Sequence, residues 1–223
     1  MKKYLTIVGI LLITTLLISC NNNKNNNTNK IQNEIYEDDG IVINYPIIVG
    51  LEDKNLESKV NSIIKDDAFS IEKVVESLED KFNVEMSYDI KLNNRNYLSL
   101  MYKGIVYVEG SAYPNEIIYT TNIDLSTGDR IVLNDMIKVD DELVDKIING
   151  EFNTDSVNEA IDYIKSMDKN EMINILNNAD KLSDIGTEKQ SSCYSYLTGD
   201  SIGICIEVPH VLGDYIEIEI YKS

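Results

Sequence analysis

The chain has 223 residues, 43% of them hydrophobic, and a formal net charge of −18. That hydrophobic share is enough for one core or two small ones. The acidity excludes nucleic acid as a partner, because phosphates are repelled. It also disfavours anionic lipid surfaces and favours association with a cationic protein.

Met1-Lys2-Lys3 opens the chain, and an apolar run follows from Tyr4 to Ile18. A basic start before about fifteen apolar residues is a signal-peptide pattern. The run is shorter than the roughly 20 residues that a membrane span needs. It closes Leu17-Ile18-Ser19-Cys20, which resembles the bacterial lipobox. The resemblance implies removal of residues 1–19 and lipid on the Cys20 sulfur, on the outer face of the cell membrane. Several acyl chains together anchor stably where one does not. The stretch NNNKNNNTNKIQN, Asn21 to Asn33, buries too little apolar surface to fold. A flexible tether is expected over residues 20–40.

Ile41 to Val49 is β-branched with Pro46 inside, which predicts an edge strand. Leu56, Val60, Ile63, Ile64, Ile71, Val74, Val75, Leu78 and Phe82 recur at helical spacing. They predict one long helix, or two joined near Asp66-Asp67. The period then becomes two. Val84, Met86, Tyr88, Ile90 and Leu92 alternate with polar residues, as in a half-buried strand. Strands over Tyr97 to Val108 and Ile117 to Leu125, and a short return over Arg130 to Leu133, complete an antiparallel meander. Asp140 predicts an N-cap, and Ser156 with Glu159 a capping box. A further short helix is expected from Lys169 to Ala179. Strands over Ser192 to Leu197, Ile202 to Val208 and Tyr215 to Tyr221 end the chain. Strand runs separated by helix runs imply an α+β fold: a meander packed against helices, as a single domain or two small lobes over residues 41–138 and 139–223.

Motifs for chemistry are sparse. The single histidine, His210, follows Pro209 and reads as a loop residue. Pairing it with Cys193 or Cys205 as base and nucleophile lacks a recognisable context. Zinc would need more nitrogen and sulfur ligands than the chain has. Asp124 to Asp135 has the length of a calcium loop, but Gly128 and Asp129 stand in the wrong order. A β-turn with Gly128 at positive φ is the plainer reading. No cofactor is expected. Cys193 and Cys205 lie six residues either side of Gly199. They form a disulfide across a hairpin or remain two buried thiols. Tyr97, Tyr102, Tyr107, Tyr113 and Tyr119 fall in the meander, either as a binding surface or as ordinary strand residues.

Gly110-Ser-Ala-Tyr-Pro114-Asn115, then Asn122-Ile-Asp124-Leu-Ser-Thr-Gly128 and Leu133-Asn-Asp-Met136, resemble the PdaC-like and RsiV-like extracytoplasmic domains. The resemblance covers most of Ile41 to Tyr221, with the PdaC-like part over 41–138 and the RsiV-like part over 139–223. Tyr113 stands where that family carries histidine, so a role needing imidazole there is in doubt. Relatives bear the domain beside a deacetylase or on an anti-sigma factor that captures lysozyme. What the resemblance implies here is binding without catalysis: a membrane-anchored module for an envelope component such as peptidoglycan, or for a cationic protein such as lysozyme. The alternatives are a wall-acting hydrolase and a structural lipoprotein.

Overall fold

The computed structural model describes residues 28–76 and 81–222. The expected signal peptide and Cys20 lie outside the described residues. Among the described residues no helix is long and apolar enough to cross a membrane.

The fold is α+β. Strands β1 (Lys30–Asp38), β2 (Ile41–Val49), β3 (Phe82–Asn93), β4 (Tyr97–Val108), β5 (Asn115–Asp124) and β6 (Asp129–Arg130) form one sheet in chain order. Its pairs are antiparallel except β2 with β3, which is parallel over Ile41–Ile43. Helices α1 (Lys54–Ala68) and α2 (Ile71–Val75) make that crossover. Helices α3 (Leu133–Met136), α4 (Asp141–Asn149), α5 (Asn158–Lys165) and α6 (Lys169–Asn177) precede a second sheet. That sheet is β7 (Cys193–Leu197), β8 (Ser201–Glu207) and β9 (Tyr215–Tyr221), also antiparallel.

Strand β1 corrects the expected tether, whose second half is structured. Asp38 pairs with Ile41 across a two-residue loop, Asp39-Gly40, in which both residues have positive φ. That is the type I′ geometry that Asp-Gly favours. Tyr36 then packs its ring against Phe69, 4.7 Å away, tying β1 to the end of α1. Strand β2 is therefore not the outermost strand. Pro46 is tolerated for a related reason. Beyond Ile43, β2 has no strand partner opposite β1 among the described residues. The Asn61 side chain stands in for one, accepting from Ile48 N–H and donating to Ile48 C=O, both at 2.8 Å. Pro46 has the same parity as Ile48, so its missing N–H faces that open side.

The first core lies between α1 and one face of the large sheet. Asp53 caps α1, and Val60, Ile63, Ile64 and Ala68 form its buried stripe. Tyr102 and Tyr119 are fully buried below it. Their hydroxyls donate to the Ile64 and Ala68 carbonyls at 3.1 and 2.8 Å. In the second core, α3 to α6 cover Ile202, Ile204, Ile206, Ile216, Ile218 and Ile220. Each such side chain contributes about 1.5–3 kcal/mol when fully buried.

Strand β7 joins the two halves. Asn122 donates to the Ser195 carbonyl at 2.8 Å, and Ser99 accepts from Leu197 N–H at 2.9 Å. Asp180, at φ +64°, accepts from Ser195 N–H and Oγ, Leu133 N–H and Thr120 Oγ1. One carboxylate thus ties β5, β7 and the start of α3 together.

Three local expectations change. Leu133 opens α3 instead of ending a return strand. Helix α5 has Val157 at its N-cap without a side-chain cap bond, so Ser156 and Glu159 form no capping box. A register shift between Ile90 and Leu92 breaks the β3 alternation and sets Leu92 opposite Ser99, where it joins the second core.

Candidate functional site

The last strand shows why a cleft forms. In β9, Ile216, Ile218 and Ile220 point into the second core. The alternate positions Tyr215, Glu217 and Glu219 therefore share the other face. Tyr196 and Gly203 lie on that face too, since Tyr196 pairs with Gly203 and Gly203 with Glu219. A Cβ on Gly203 would sit 1.9 Å from the Tyr196 ring. Glycine is required there for the ring to lie across β8. From that position the Tyr196 hydroxyl reaches Glu217 Oε1 at 2.6 Å and Glu219 Oε1 at 3.1 Å.

Two lysines from the large sheet complete the cluster. Lys91, in the β3 irregularity, binds Glu217 Oε1 at 2.7 Å and lies 4.4 Å from the Tyr196 ring centroid. Lys103 reaches Glu217 Oε2 at 3.5 Å. Ser201 Oγ donates to Glu219 Oε2 at 2.9 Å. Across the cleft, Asn153 pairs with Glu219 by two backbone bonds, and Thr154 Oγ1 donates to the Glu217 carbonyl at 2.6 Å. The cleft between holds about 760 Å³, with Ile118, Tyr196 and Tyr215 among the residues lining it and Asn153 to Ser156 along one side. That volume is in the usual range for small-molecule sites.

The electrostatics fix the charge states of the cluster's central pair. Burial raises the Glu217 carboxyl, but bonds from Lys91 and Tyr196 and the charges of Lys91 and Lys103 outweigh it, and the net shift is downward. Glu217 stays ionised near neutral pH. Burial and the two glutamates push the Tyr196 phenol far up, so it stays a donor. Glu217 thus presents a fixed acceptor and Tyr196 a fixed donor.

The residues singled out in the sequence do not assemble into this site. Asp124 accepts from Ser126 N–H and Oγ, and Gly128, at φ +72°, sits against Leu56 and Lys59 of α1. They form a turn that closes β5 onto β6. Gly110, Pro114 and Asn115 lie at the opposite end of β5, ten residues and about 30 Å away. Of the meander tyrosines, Tyr102 and Tyr119 are core, while Tyr97, Tyr107 and Tyr113 are exposed.

Cys193 and Cys205 are free, buried thiols, which corrects the disulfide alternative. Cys193 pairs with Ile206, and Cys205 with Tyr194. Leu197 pairs with Ile202, so four residues separate the last pair and the pairing is offset by one from a turn centred on Gly199. An offset of one puts the thiols on opposite faces of the sheet. Burial raises both thiols above their ordinary range.

Lys91, Lys103, Asn153, Tyr196, Glu217 and Glu219 escaped the sequence reading. The one local signal was the alternation of isoleucine and acid in β9.

No family model and no curated protein matches the sequence. The fold has solved counterparts. A member of the DUF3298 family from Bacteroides fragilis aligns with a TM-score of 0.52 at 14% identity, covering 89% of this chain and 92% of its own. A DUF3298 family protein from Pseudomonas aeruginosa aligns at 0.49 and 9% identity, covering 88% and 92%. At such identities the likeness is one of fold. By the first of these the chain shares the α+β architecture of a DUF3298 family member.

Proposed function

We propose that this chain is a membrane-anchored binding module on the outer face of the cell, held by lipid on Cys20. Its ligand is a hydroxyl-rich and amide-rich glycan of the envelope, seated in the β9 cleft. One observation carries the reading: an open cleft lined by Tyr196, Tyr215, Glu217 and Glu219, in which Tyr196 and both glutamates are already fixed by Lys91, Lys103, Ser201 and each other. Fixed acceptors suit sugar hydroxyls, and aromatic faces suit the C–H faces of sugar rings. Groups held before binding lose little entropy when the ligand arrives.

The test is calorimetry of the full chain against tetra-N-acetylchitotetraose. The expected result is saturable binding that Tyr215→Ala or Glu217→Gln weakens by about tenfold, the effect of losing one good contact. Heats indistinguishable from dilution contradict the ligand class. For the anchor, labelled palmitate is expected in the wild-type chain and not in Cys20→Ser; equal labelling contradicts it.

A further inference from the structure

A second cavity lies where the two halves of the molecule meet, and it shares no lining residue with the β9 cleft. Its volume is about 350 Å³, at the small end of the range for ligand sites, which favour such seams. The first half contributes the end of α1, α2, β5 and β6, and the second half the stretch from Asp180 to Ser183. That stretch is fixed on both sides. The Asp180 carboxylate takes its bonds from Ser195, Leu133 and Thr120. Further along, Gly186 approaches α2 so closely that a Cβ there would lie 2.7 Å from the Lys73 carbonyl oxygen.

Acids outnumber lysine and arginine by 38 to 20 in this chain, yet Lys73, Arg130 and Lys181 all line this one cavity. Two of the carboxylates beside them are already committed. Asp180 is filled by the donors just named. Asp67, its side chain 5% exposed, accepts from Arg130 Nη2 at 2.6 Å, Arg130 Nε at 3.3 Å and Thr121 Oγ1 at 2.7 Å.

Three groups keep capacity for a ligand. Asp67 occupies one edge of the Arg130 guanidinium, Nε with Nη2, and holds its plane still. The end fork, Nη1 with the other Nη2 hydrogen, matches the spacing of a second carboxylate. Lys73 makes one long bond, 3.5 Å to the Leu182 carbonyl, and an ammonium has three donors. Asp66 is exposed in the cavity wall, and its carboxylate accepts no hydrogen bond among the described residues. Two cations and one uncommitted carboxylate complement a molecule that carries both signs. A simple anion leaves Asp66 opposed, and a simple amine leaves Arg130 and Lys73 opposed.

We propose that this cavity binds a free amino acid, its carboxylate on the end fork of Arg130 beside Lys73 and its ammonium toward Asp66. The small volume suits a single amino acid. The site does not rest on the glycan reading.

The test is NMR titration of the isotope-labelled full chain with glycine, leucine and glutamate, and with acetate and ethylammonium as single-charge controls. At least one amino acid is expected to give saturable shifts at Thr121, Arg130 and Lys181. It should bind about tenfold more tightly than either control, the effect of one more charged contact. Asp66→Asn is expected to remove the preference over acetate, with melting temperature unchanged. Arg130→Gln would strand the buried Asp67 carboxylate, so the fork is tested by Arg130→Lys, which keeps a charge there without the planar fork. That variant is expected to weaken amino-acid and acetate binding by about tenfold, while Glu217→Gln in the β9 cleft leaves both unchanged. Absence of shifts with all three amino acids overturns the proposal. So does acetate binding as tightly as they do, or a preference that survives Asp66→Asn.

Discussion

Two residues carry more of the architecture than their size suggests. Gly203 leaves room for the Tyr196 ring, and with it the whole glutamate–tyrosine–lysine cluster. Gly203→Ala forces a clash that the ring meets only by leaving its site. A loss of about 1–3 kcal/mol is expected, the usual cost of overpacking, and denaturant titration measures it. Asp180 is the second. Burial raises its carboxyl to about 6 from a usual value of 3.8, against the opposing bonds from Ser195, Leu133 and Thr120. The folded chain therefore binds this proton more tightly than the unfolded chain. The resulting stabilisation is complete below the unfolded value and is lost as pH rises through about 6. Melting temperature is expected to be higher at pH 5 than at pH 7.5. Asp180→Asn should show a shallower slope over that window, because general charge repulsion remains while this group no longer titrates. Equal slopes for the two proteins contradict the assignment.

At the scale of elements, the legible parts were those with a strong local period. The alternation through Val84, Met86 and Tyr88 and the helical stripe through Val60, Ile63 and Ile64 correspond to β3 and α1. What local pattern could not supply was register. Counting outward from Gly199 matched the two cysteines across the hairpin, but the loop contains one residue more on its far side. That single residue sends Cys193 to the second core and Cys205 to the sheet interface. Both thiols are expected to stay unmodified by a thiol reagent until the protein is unfolded, as counted by mass. Rapid labelling of either under native conditions contradicts their burial. The Asp39-Gly40 turn was a signal present in the sequence and masked by the polar run before it. Gly40, at φ +85°, has its Cβ position 2.8 Å from the Phe82 carbonyl oxygen. Gly40→Ala is expected to cost more than about 1 kcal/mol and to release amide protection across Lys30–Asp38 in hydrogen exchange. Unchanged protection there contradicts the strand.

The whole molecule explains why its sites were the least readable part. The β9 cleft draws Lys103 from the large sheet, Asn153 from the helical stretch and Tyr196, Glu217 and Glu219 from the small sheet, with Lys91 of the large sheet bound to Glu217. No spacing in the chain brings these together; only the packing of one sheet on the other does. The motif residues Gly110 to Asn115 and Asp124 to Gly128 instead form the two ends of β5, one a turn and the other part of an exposed apolar tip. Net charge, by contrast, was readable at once, because it needs only a count of residues.

The cleft is where a single experiment decides most. Amide and side-chain NMR spectra of the chain, recorded while tetra-N-acetylchitotetraose is added, are expected to move at Asn153, Thr154, Tyr196, Tyr215 and Glu217, with Tyr113 and Val211 unmoved. Shifts confined elsewhere, or spectra that do not change at saturating sugar, contradict the cleft as the glycan seat.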